Sequence, residues 1–461
     1  MRESSRLRSP VRSSAPEQWT LCGEGVCFAA MSTGRWPASH SLILLLFCAC
    51  GDDTTPPTQD SGTTSEESST EADSESSSAD ASSSSEGGDG DATTGGDGDG
   101  DGDSGDGDAE ATGDGDGEGQ WHLPECEAPS GIPGLAFSPD GGATVHHTDT
   151  PFSGTSYTFG IARLAQPNHL VAQSGDKLYR SEDAGCTWTV IDGWSGSFSR
   201  LTVGPQDRVW IWGDNLTQLA YLDGTTVTYA NPELNVRGIA TDPDDPDRVY
   251  MGDDMGVRVS DDAGQTWTKM GYAPGEQTLA YRVAFAPTRP QRIIIGRMLE
   301  GMWRSDDFAE SWNSATGLNP LDPTEEVNAF DAAFTRYDED IVWGLALEFS
   351  GLDSHRRMYR SEDGGQSFTA VQEDADPPGL IVSNGAMLWP HPDDTDRLFW
   401  SVGTCFSGAG ADLYVYDHSL GQTTTYKHPY AGITTVEANP ADPNFLYLGL
   451  QDPGHPGPEC E

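Results

Sequence analysis

Short apolar segments recur along the second part of the chain. Each is followed by a turn rich in Pro and Asp and then by a second apolar segment, as in residues 238–252. Apolar runs of this length, bounded by turn residues, are typical of buried β-strands. Seven copies start 38 to 55 residues apart, at Gly160, Arg200, Gly238, Arg282, Asp331, Ala386 and Thr435.

A second pattern, Ser-x-Asp-x-Gly-x-Thr-Trp, joins two further strands through a tight turn. Residues 181–188 and 260–267 match it fully, whereas Ala309 replaces the Gly in the copy at 305–312. The Asp carboxylate can accept hydrogen bonds from backbone N–H groups of its own turn, and the Gly supplies a position with positive φ. The pattern therefore predicts structural turns, and its acidic residues are Asp140, Asp183, Asp262, Asp307 and Asp363.

Seven units of this length, each with two strand pairs, predict an all-β fold with one seven-bladed β-propeller of four-stranded blades. The propeller is expected to span residues 121–461. The seventh unit ends after two strands, and an unpaired unit lies around residues 138–145. We therefore expect N-terminal and C-terminal strands to share one blade and close the ring.

The repeated turns resemble the BNR or Asp-box repeats of sialidases, sortilin-type receptors, xyloglucanases and photosystem II assembly factors. The resemblance covers about residues 126–461. It implies that the Asp turns are structural and that ligands bind on the opposite face. A sialidase would also have an arginine triad that begins in a Phe/Tyr-Arg-Ile-Pro motif, and this sequence lacks that motif. Sialidases have six blades, not seven.

Composition divides the remaining chain. Residues 51–120 contain 22 Asp and Glu residues and no Lys or Arg. Residues 1–50 carry 5 basic and 3 acidic side chains. Of the chain's net charge of −49, residues 121–461 therefore carry −29. Residues 51–120 hold too few apolar side chains to form a core, so we expect a disordered acidic linker. The charge disfavours nucleic acid and anionic membranes as partners.

Residues 1–50 are interpreted as a signal-peptide region, with Met31 as a possible true start. The apolar run 41–50 is too short to span a bilayer and ends in Ala49-Cys50. Residues 47–50 resemble a bacterial lipobox, which implies lipidation of Cys50. The sequence thus predicts an exported lipoprotein on the outer membrane or cell surface that touches the membrane only through its lipid. An ordinary signal peptide is the alternative.

Three arginines form the candidate ligand site. Arg200, Arg237 and Arg282 stand at the starts of the inner strands of blades 2, 3 and 4. Inner strands converge on the central channel, so three guanidiniums could gather at one rim and bind a carboxylate or sulfate. The alternative is that each arginine pairs with an acidic residue of a neighbouring loop, such as Asp253 or Asp254. The rim loops expected to be longest are 348–357 and 403–412.

Cofactor chemistry has no support in the sequence. His146 and His147 adjoin on one strand and would point to opposite faces, and neither a zinc spacing nor a phosphate-binding Gly loop occurs. No metal and no cofactor are therefore predicted. The function favoured by the sequence is a non-catalytic binding module for an extracellular protein or glycan. A sialidase-like glycoside hydrolase and a purely structural surface protein are the alternatives.

Four cysteines lie in the region of the propeller. Cys460 follows the second strand of blade 7 and Cys126 precedes the third, so both should lie where an unbroken chain would form the loop between these strands. An oxidising compartment permits the bond. We therefore predict a Cys126–Cys460 disulfide, with Cys405–Cys460 as its rival and four free thiols as the further alternative. Cys186 lies in an Asp turn, which is expected on the opposite face of the ring. It should therefore not form a disulfide with these cysteines.

Overall fold

The computed structural model describes 14 stretches of the chain. They are residues 20–23, 26–29, 120–126, 132–147, 158–196, 199–213, 216–230, 232, 234–275, 279–318, 326–350, 353–384, 386–403 and 411–451. Cys50, Cys405, Cys460 and residues 51–119 lie outside the described residues. Thr20–Gly23 and Val26–Ala29 form a two-stranded antiparallel hairpin. Where the structure is described, it contains no helix that is both long and apolar enough to cross a membrane.

The prediction of a seven-bladed propeller is confirmed, because the chain forms seven four-stranded sheets. Neighbouring strands in each sheet are antiparallel, and six sheets follow chain order or its reverse. Blade 1 consists of Thr158–Arg163, Leu170–Ser174, Lys177–Ser181 and Thr189–Ile191. Blade 2 consists of Ser199–Val203, Val209–Gly213, Leu219–Asp223 and Thr226–Tyr229. Blade 3 consists of Gly238–Thr241, Val249–Asp253, Gly256–Ser260 and Thr268–Tyr272. A short 3-10 turn, Pro205–Asp207, joins the first two strands of blade 2.

Blades 4 to 6 repeat this order. Blade 4 consists of Ala280–Phe285, Ile293–Arg297, Gly301–Ser305 and Asn313–Ser314. Blade 5 consists of Glu326–Phe334, Val342–Ser350, Asp353–Ser361 and Thr369–Glu373. Blade 6 consists of Trp389–Pro390, Arg397–Val402, Ala411–Asp417 and Gln422–His428. The stretch 348–357, expected to be a rim loop, lies mostly within the second and third strands of blade 5.

Blade 7 closes the ring as expected. The chain's last two strands, Gly432–Asn439 and Asp442–Gln451, pair with the early strands Leu135–Ser138 and His146–His147. Leu135 pairs with Gly449, and Ser138 pairs with Leu446. The two ends of the propeller are therefore held in one sheet by backbone hydrogen bonds.

The antiparallel order defines two faces of the ring. Turns between the first and second strands, and between the third and fourth strands, lie on one face, which we call the Asp-turn face. Loops between the second and third strands, and the entries to the first strands, lie on the other, which we call the loop face. Between the blades, the core is apolar and contains the fully buried side chains of Trp210, Trp343 and Trp400.

Each Asp turn is held by its own side chains. In blade 3, Ser260 Oγ and the Thr266 N–H donate to Asp262 Oδ1 at 2.7 and 2.8 Å, and Thr266 Oγ1 donates to Oδ2 at 2.6 Å. The N–H of Gly264 donates to Ser260 Oγ at 2.8 Å. These bonds stabilise the ionised carboxylate, and the hydroxyl of Thr266 contributes most to lowering the pKa of Asp262 to about 2. Related bonds hold Asp140, Asp183, Asp307 and Asp363.

Ala309 shows how strongly the turn geometry is imposed. It adopts a φ of 69°, in the left-handed region where Gly264 of the blade 3 turn has a φ of 80°. A residue with a Cβ atom is disfavoured there. The N–H of Ala309 nevertheless donates to Ser305 Oγ at 2.9 Å, as Gly does in the other turns.

The Asp turns also join neighbouring blades. Gln265 Nε2 in the blade 3 turn donates to the carbonyl of Tyr229 in blade 2 at 3.1 Å, and Trp312 Nε1 in the blade 4 turn donates to the carbonyl of Tyr272 in blade 3 at 2.7 Å. At the closing blade, the hydroxyl of Tyr447 donates to the carbonyl of Ala184 in the blade 1 turn at 2.9 Å. These turns therefore stabilise the ring as well as the hairpins.

Thr266→Val is expected to raise the pKa of Asp262 from about 2 toward its ordinary value of 3.8. Valine keeps the backbone N–H bond and the side-chain shape but removes the hydroxyl donor. A lowered pKa in the folded state contributes stability that is lost as pH falls from 3.8 toward 2, so the variant should lose less stability over this range. Carboxyl NMR titration measures the pKa, with Thr268→Val as control. An unchanged pKa would show that the hydroxyl does not hold the carboxylate.

The predicted Cys126–Cys460 disulfide is wrong, because Cys126 pairs with Cys186. The physical reason is the path of residues 120–126, which lie on the Asp-turn face and not on the loop face. The N–H of His122 donates to Asn168 Oδ1 in blade 1 at 2.9 Å, and Asn439 Nδ2 in blade 7 donates to the carbonyl of His122 at 3.0 Å. Cys126 is thus brought to the Asp turn of blade 1, across the closure of the ring.

Candidate functional site

The structure brings two of the three predicted arginines to one aromatic ring. Arg200 is the second residue of the first strand of blade 2, and Arg282 is the third residue of the first strand of blade 4. Their guanidinium carbons lie 5.8 and 5.2 Å from the ring centre of Trp212, in the second strand of blade 2. Distances of this size permit cation–π attraction. Trp212, which sequence reasoning missed, is therefore the centre of the site.

The indole of Trp212 is fixed in place. Its Nε1 donates to Thr202 Oγ1 at 3.0 Å, and only 3% of the residue is exposed. A fixed ring can hold two cationic side chains from non-adjacent blades in one arrangement. Among the signals available in the sequence, the run Val209-Trp210-Ile211-Trp212 indicated a buried strand but did not show which tryptophan faces the arginines.

Acidic partners accompany two of the arginines. Arg237 immediately precedes the first strand of blade 3, and its Nε lies 2.9 Å from Asp254 Oδ1. Arg282 Nε lies 3.3 Å from Asp331 Oδ1 in blade 5. The Arg237–Asp254 pair matches the alternative that each arginine binds a neighbouring acidic residue. Ligand binding by Arg200, Arg237 and Arg282 stays a prediction.

Asp331 extends this contact to a further blade. It is 6% exposed, and it accepts hydrogen bonds from the N–H of Ala332 at 3.0 Å and from the N–H of Leu388 in blade 6 at 3.1 Å. Arg282 of blade 4 therefore contacts Trp212 in blade 2 and Asp331 in blade 5, and Asp331 continues the contact to blade 6. A charged network anchored in this way holds its side chains in one arrangement.

A fourth arginine, Arg297, lies at the same face and was missed from the sequence. It ends the second strand of blade 4 and is 1% exposed, with its Nε 3.4 Å from Glu300 Oε2. Within the described part of the chain, its Nη1 has no hydrogen-bond partner. Burial lowers the pKa of Arg297, although the charges of Glu300 and Asp254 oppose this shift. The sequence shows only an arginine at the end of an apolar run, and this position does not predict that Arg297 is buried.

Two glutamates form a second charged cluster in blade 5. Arg357 Nη1 donates to Glu348 at 2.5 Å, and its Nε donates to Glu373 at 2.9 Å. His355 Nδ1 lies 2.7 Å from Glu373, and the hydroxyl of Tyr359 donates to Glu348. These cross-strand pairs explain why 348–357 continues the strands instead of forming a loop.

The blade 5 cluster favours the ionised form of Glu373. Hydrogen bonds from His355 and then Arg357 lower the pKa of Glu373. Glycoside hydrolysis requires one carboxyl group to act as an acid, and that role calls for a raised pKa. The cluster therefore resembles a set of ion pairs more closely than an acid–base pair. In the described stretches, no group of three or more His, Cys, Asp or Glu side chains could hold a metal ion.

Another ion-pair network lies where the channel meets the Asp-turn face. Arg163 of blade 1 donates to both carboxylate oxygens of Asp393 in blade 6, at 2.8 and 2.9 Å. Its Nε lies 3.8 Å from Glu437 of blade 7, and its Nη2 lies 3.3 Å from the hydroxyl of Tyr337 in blade 5. Arg163 thus connects four blades at the face opposite the candidate site.

Sequence comparison identifies the family. The chain is 34% identical over 343 residues to the dispase autolysis-inducing protein of Streptomyces mobaraensis, and the match covers 72% of this chain and 90% of the relative. The chain belongs to the family of the dispase autolysis-inducing protein. Nearly the whole relative is matched, so the similarity to the dispase autolysis-inducing protein extends well beyond a few repeats.

Other matches are shorter. The family model described as "Sortilin, neurotensin receptor 3" matches residues 255–409. A xyloglucanase of a Paenibacillus species is 27% identical over 253 residues, which cover 48% of this chain and 23% of that enzyme. Among solved structures, a GH74 enzyme of Niastella koreensis matches with a TM-score of 0.46 at 14% identity, covering 64% of this chain and 51% of the enzyme.

These relatives correct the predicted function. A non-catalytic binding module was expected, but the matched proteins are named for inducing autolysis and for cleaving xyloglucan. The prediction of a non-catalytic binding module is therefore wrong. Glycoside hydrolases are among the relatives, although they are xyloglucanases and not the sialidases named as the alternative.

Proposed function

We propose that this protein induces the autolysis of a protease of the dispase type. The observation that carries the proposal is the 34% identity to the dispase autolysis-inducing protein across 90% of that relative. Shorter repeat-level similarity would support only a shared fold. Here the matched length supports a shared activity.

The structure supplies a physical basis for this proposal. An inducer of autolysis has to contact the protease and change how readily protease molecules cleave one another. The loop face carries four arginines, of which Arg237 and Arg297 are buried and ion-paired, and the propeller region around them carries a net charge of −29. Such a pattern can orient a partner that has complementary charges.

Incubation of the full chain with purified dispase tests the proposal. We expect protease fragments to appear faster in proportion to the amount of propeller, with loss of proteolytic activity and with the propeller intact. Dispase whose catalytic activity is blocked should give no fragments, because the protease itself makes the cuts. Heat-unfolded propeller is the control, because it shows whether any added protein that dispase can digest has the same effect. Equal fragmentation with native and unfolded propeller would refute the proposed function.

Hydrolysis of a xyloglucan-like β-glucan is the second candidate, favoured by the 27% identity to a xyloglucanase. The chain spans only 23% of that enzyme, and hydrogen bonds from His355 and Arg357 lower the pKa of Glu373 in the blade 5 cluster. A reducing-sugar assay on xyloglucan tests this candidate, with Glu348→Gln and Glu373→Gln as variants. Release of sugar that either variant abolishes would establish it, and absence of release would remove it.

We also propose that the protein is exported and anchored through a lipid on Cys50, with residues 51–120 as the tether. As a flexible coil, this tether would span about 45–50 Å. Cys50→Ala is expected to move the protein from the membrane fraction to the soluble fraction, because the lipid is the proposed anchor. Cys48→Ala, in the same apolar run, is the matched control and should remain with membranes. Retention of Cys50→Ala by membranes would place the anchor elsewhere.

A further inference from the structure

The outer strand of blade 6 differs from the outer strands of blades 1 to 5. Gln422–His428 has seven residues, whereas the other five strands have two to five residues each. The pairing of the outer strands in blades 3 and 5 also contains a register shift. Short or bulged edge strands resist pairing with another chain. Blade 6 has neither protection, because its seven pairs with the third strand run without a shift.

This strand is the last strand of its sheet. One side pairs with the third strand of blade 6, and in the described stretches no further strand pairs with the other side. Its backbone groups likewise make no hydrogen bond to the backbone of another described element. Alternate N–H and C=O groups of an edge strand point away from the sheet and can bind an added strand. We call Gln422–His428, with these outward groups, the blade 6 edge.

A lysine on an edge strand usually hinders pairing, but Lys427 is held toward its own sheet. Its Nζ lies 3.0 and 3.1 Å from the two carboxylate oxygens of Asp412, which is the residue opposite it on the third strand. No other Lys, Arg, Asp or Glu occurs in Gln422–His428. The ion pair therefore leaves the blade 6 edge without net charge in a propeller region that carries −29. Two copies of this edge can approach each other with little local repulsion.

Neighbouring blades hold the strand from both sides of its sheet. Thr423 Oγ1 donates to Gln372 Oε1 in the outer strand of blade 5 at 3.0 Å. His428 Nε2 lies 2.9 Å from the carbonyl oxygen of Gly142 in the blade 7 turn. A strand that is already held straight loses less conformational freedom when it pairs with another strand.

We propose that the blade 6 edges of two copies of this chain pair antiparallel and form a dimer. The strand is self-complementary when Thr425 of one copy lies opposite Thr425 of the other. The remaining pairs across the contact are then Thr424 with Tyr426, Thr423 with Lys427, and Gln422 with His428. Pairs of threonines and pairs of threonine with an aromatic residue are favourable across antiparallel strands, and no like charges face each other.

The contact is twofold symmetric, so it uses the single edge of each copy and closes at two copies. The inference goes beyond the proposed function and does not depend on it.

Sedimentation velocity of the full chain tests the dimer. The chain carries Cys50→Ala, so that the proposed lipid cannot itself cause association. We expect a dimer whose fraction rises with protein concentration. Added salt should raise this fraction further, because it screens the repulsion between two propeller regions of charge −29. Amide hydrogen exchange in residues 422–428 should slow as the dimer forms, because pairing protects the outward N–H groups.

A charge introduced at Thr425 faces its own copy in the proposed register. Thr425→Lys and Thr425→Asp should each weaken the dimer by about tenfold or more, because like charges across an interface repel strongly. An equimolar mixture of the two variants should associate again, because Lys then faces Asp. Thr226→Lys is the matched control, since it makes the same change of net charge at an exposed threonine in the outer strand of blade 2. It should leave the dimer unchanged.

Three outcomes would overturn the pairing of the blade 6 edges. They are a monomer at every concentration, an equal loss of dimer in Thr226→Lys, and no recovery in the mixture of the Thr425 variants. Thr425 is exposed, so its variants should unfold at nearly the same temperature as the parent chain. This measurement separates a loss of pairing from a loss of folding.

Discussion

Cys186→Ser is expected to lower the free energy of unfolding by about 4 kcal/mol. The disulfide joins residues that are 60 apart in sequence, and closing a loop of this size removes that amount of chain entropy from the unfolded state in the loop-entropy model. The bond also secures residues 120–126 across blades 1 and 7, where the ring closes. Urea unfolding of the full chain measures the change.

Cys126→Ser provides the matched control for this prediction. It should destabilise the protein as much as Cys186→Ser, and the double variant should add little, because both changes break one bond. A reductant should destabilise the parent chain and leave the variants nearly unaffected. Unequal single variants, or a Cys126–Cys460 peptide in a non-reducing digest, would contradict the observed pairing.

The fold could be predicted because it depends on local signals that repeat. The pairs of apolar strands recur seven times and the Asp turns five times, so an irregular copy can be recognised from the others. The Asp turn containing Ala309 illustrates this, since it lacks the Gly of the other turns yet forms the same hydrogen bonds. The disulfide depended instead on one unrepeated segment. Asn168 and Asn439 direct residues 120–126 to the Asp-turn face, and neither contact has a periodic signal.

The candidate site could be predicted only in part, for a related reason. The positions of Arg200, Arg237 and Arg282 followed from the strand repeat, and the possible Arg237–Asp254 pair followed from loop proximity. Trp212 and Arg297 depend on side-chain directions across blades. A buried arginine with incomplete hydrogen bonding also contradicts the usual exposure of this residue type, so composition argues against it.

The structure of residues 348–357 was harder to predict than their position in blade 5. Residues 348–357 are polar, and a polar stretch between strands normally indicates a loop. In the structure, Arg357 binds both Glu348 and Glu373, so cross-strand ion pairs compensate for the missing apolar side chains. Function was harder still, because the repeats specify the propeller and not the reaction that a relative performs.

The ion-pair network at the Asp-turn face leads to the second large expected effect. Arg163→Ala should destabilise the protein by about 3–5 kcal/mol, as removal of one partner from a buried ion pair does. The Arg163 side chain is 4% exposed, and those of Asp393 and Glu437 are 29% and 16% exposed. Without the guanidinium, two carboxylates from adjacent blades would remain close together and poorly solvated.

Urea unfolding with two companion variants tests the origin of this loss. Arg248→Ala removes an arginine that is 41% exposed, and it should cost under about 1 kcal/mol, as surface ion pairs do. Arg163→Met combined with Asp393→Asn should recover part of the stability, because the uncompensated charge of Asp393 is removed. An equal loss in Arg248→Ala, or no recovery in the double variant, would argue against a buried electrostatic cause.

The pH dependence of stability provides an independent readout of the same network. Burial opposes ionisation of Asp393, but hydrogen bonding and the charge of Arg163 hold its pKa below the ordinary value of 3.8. Such a carboxylate contributes stability that is present above pH 3.8 and is lost as pH falls toward its folded-state pKa. In Arg163→Ala the pKa of Asp393 should rise, so stability should fall less steeply in this acidic range. A parallel pH profile in parent and variant would show that Arg163 does not stabilise the ionised form of Asp393.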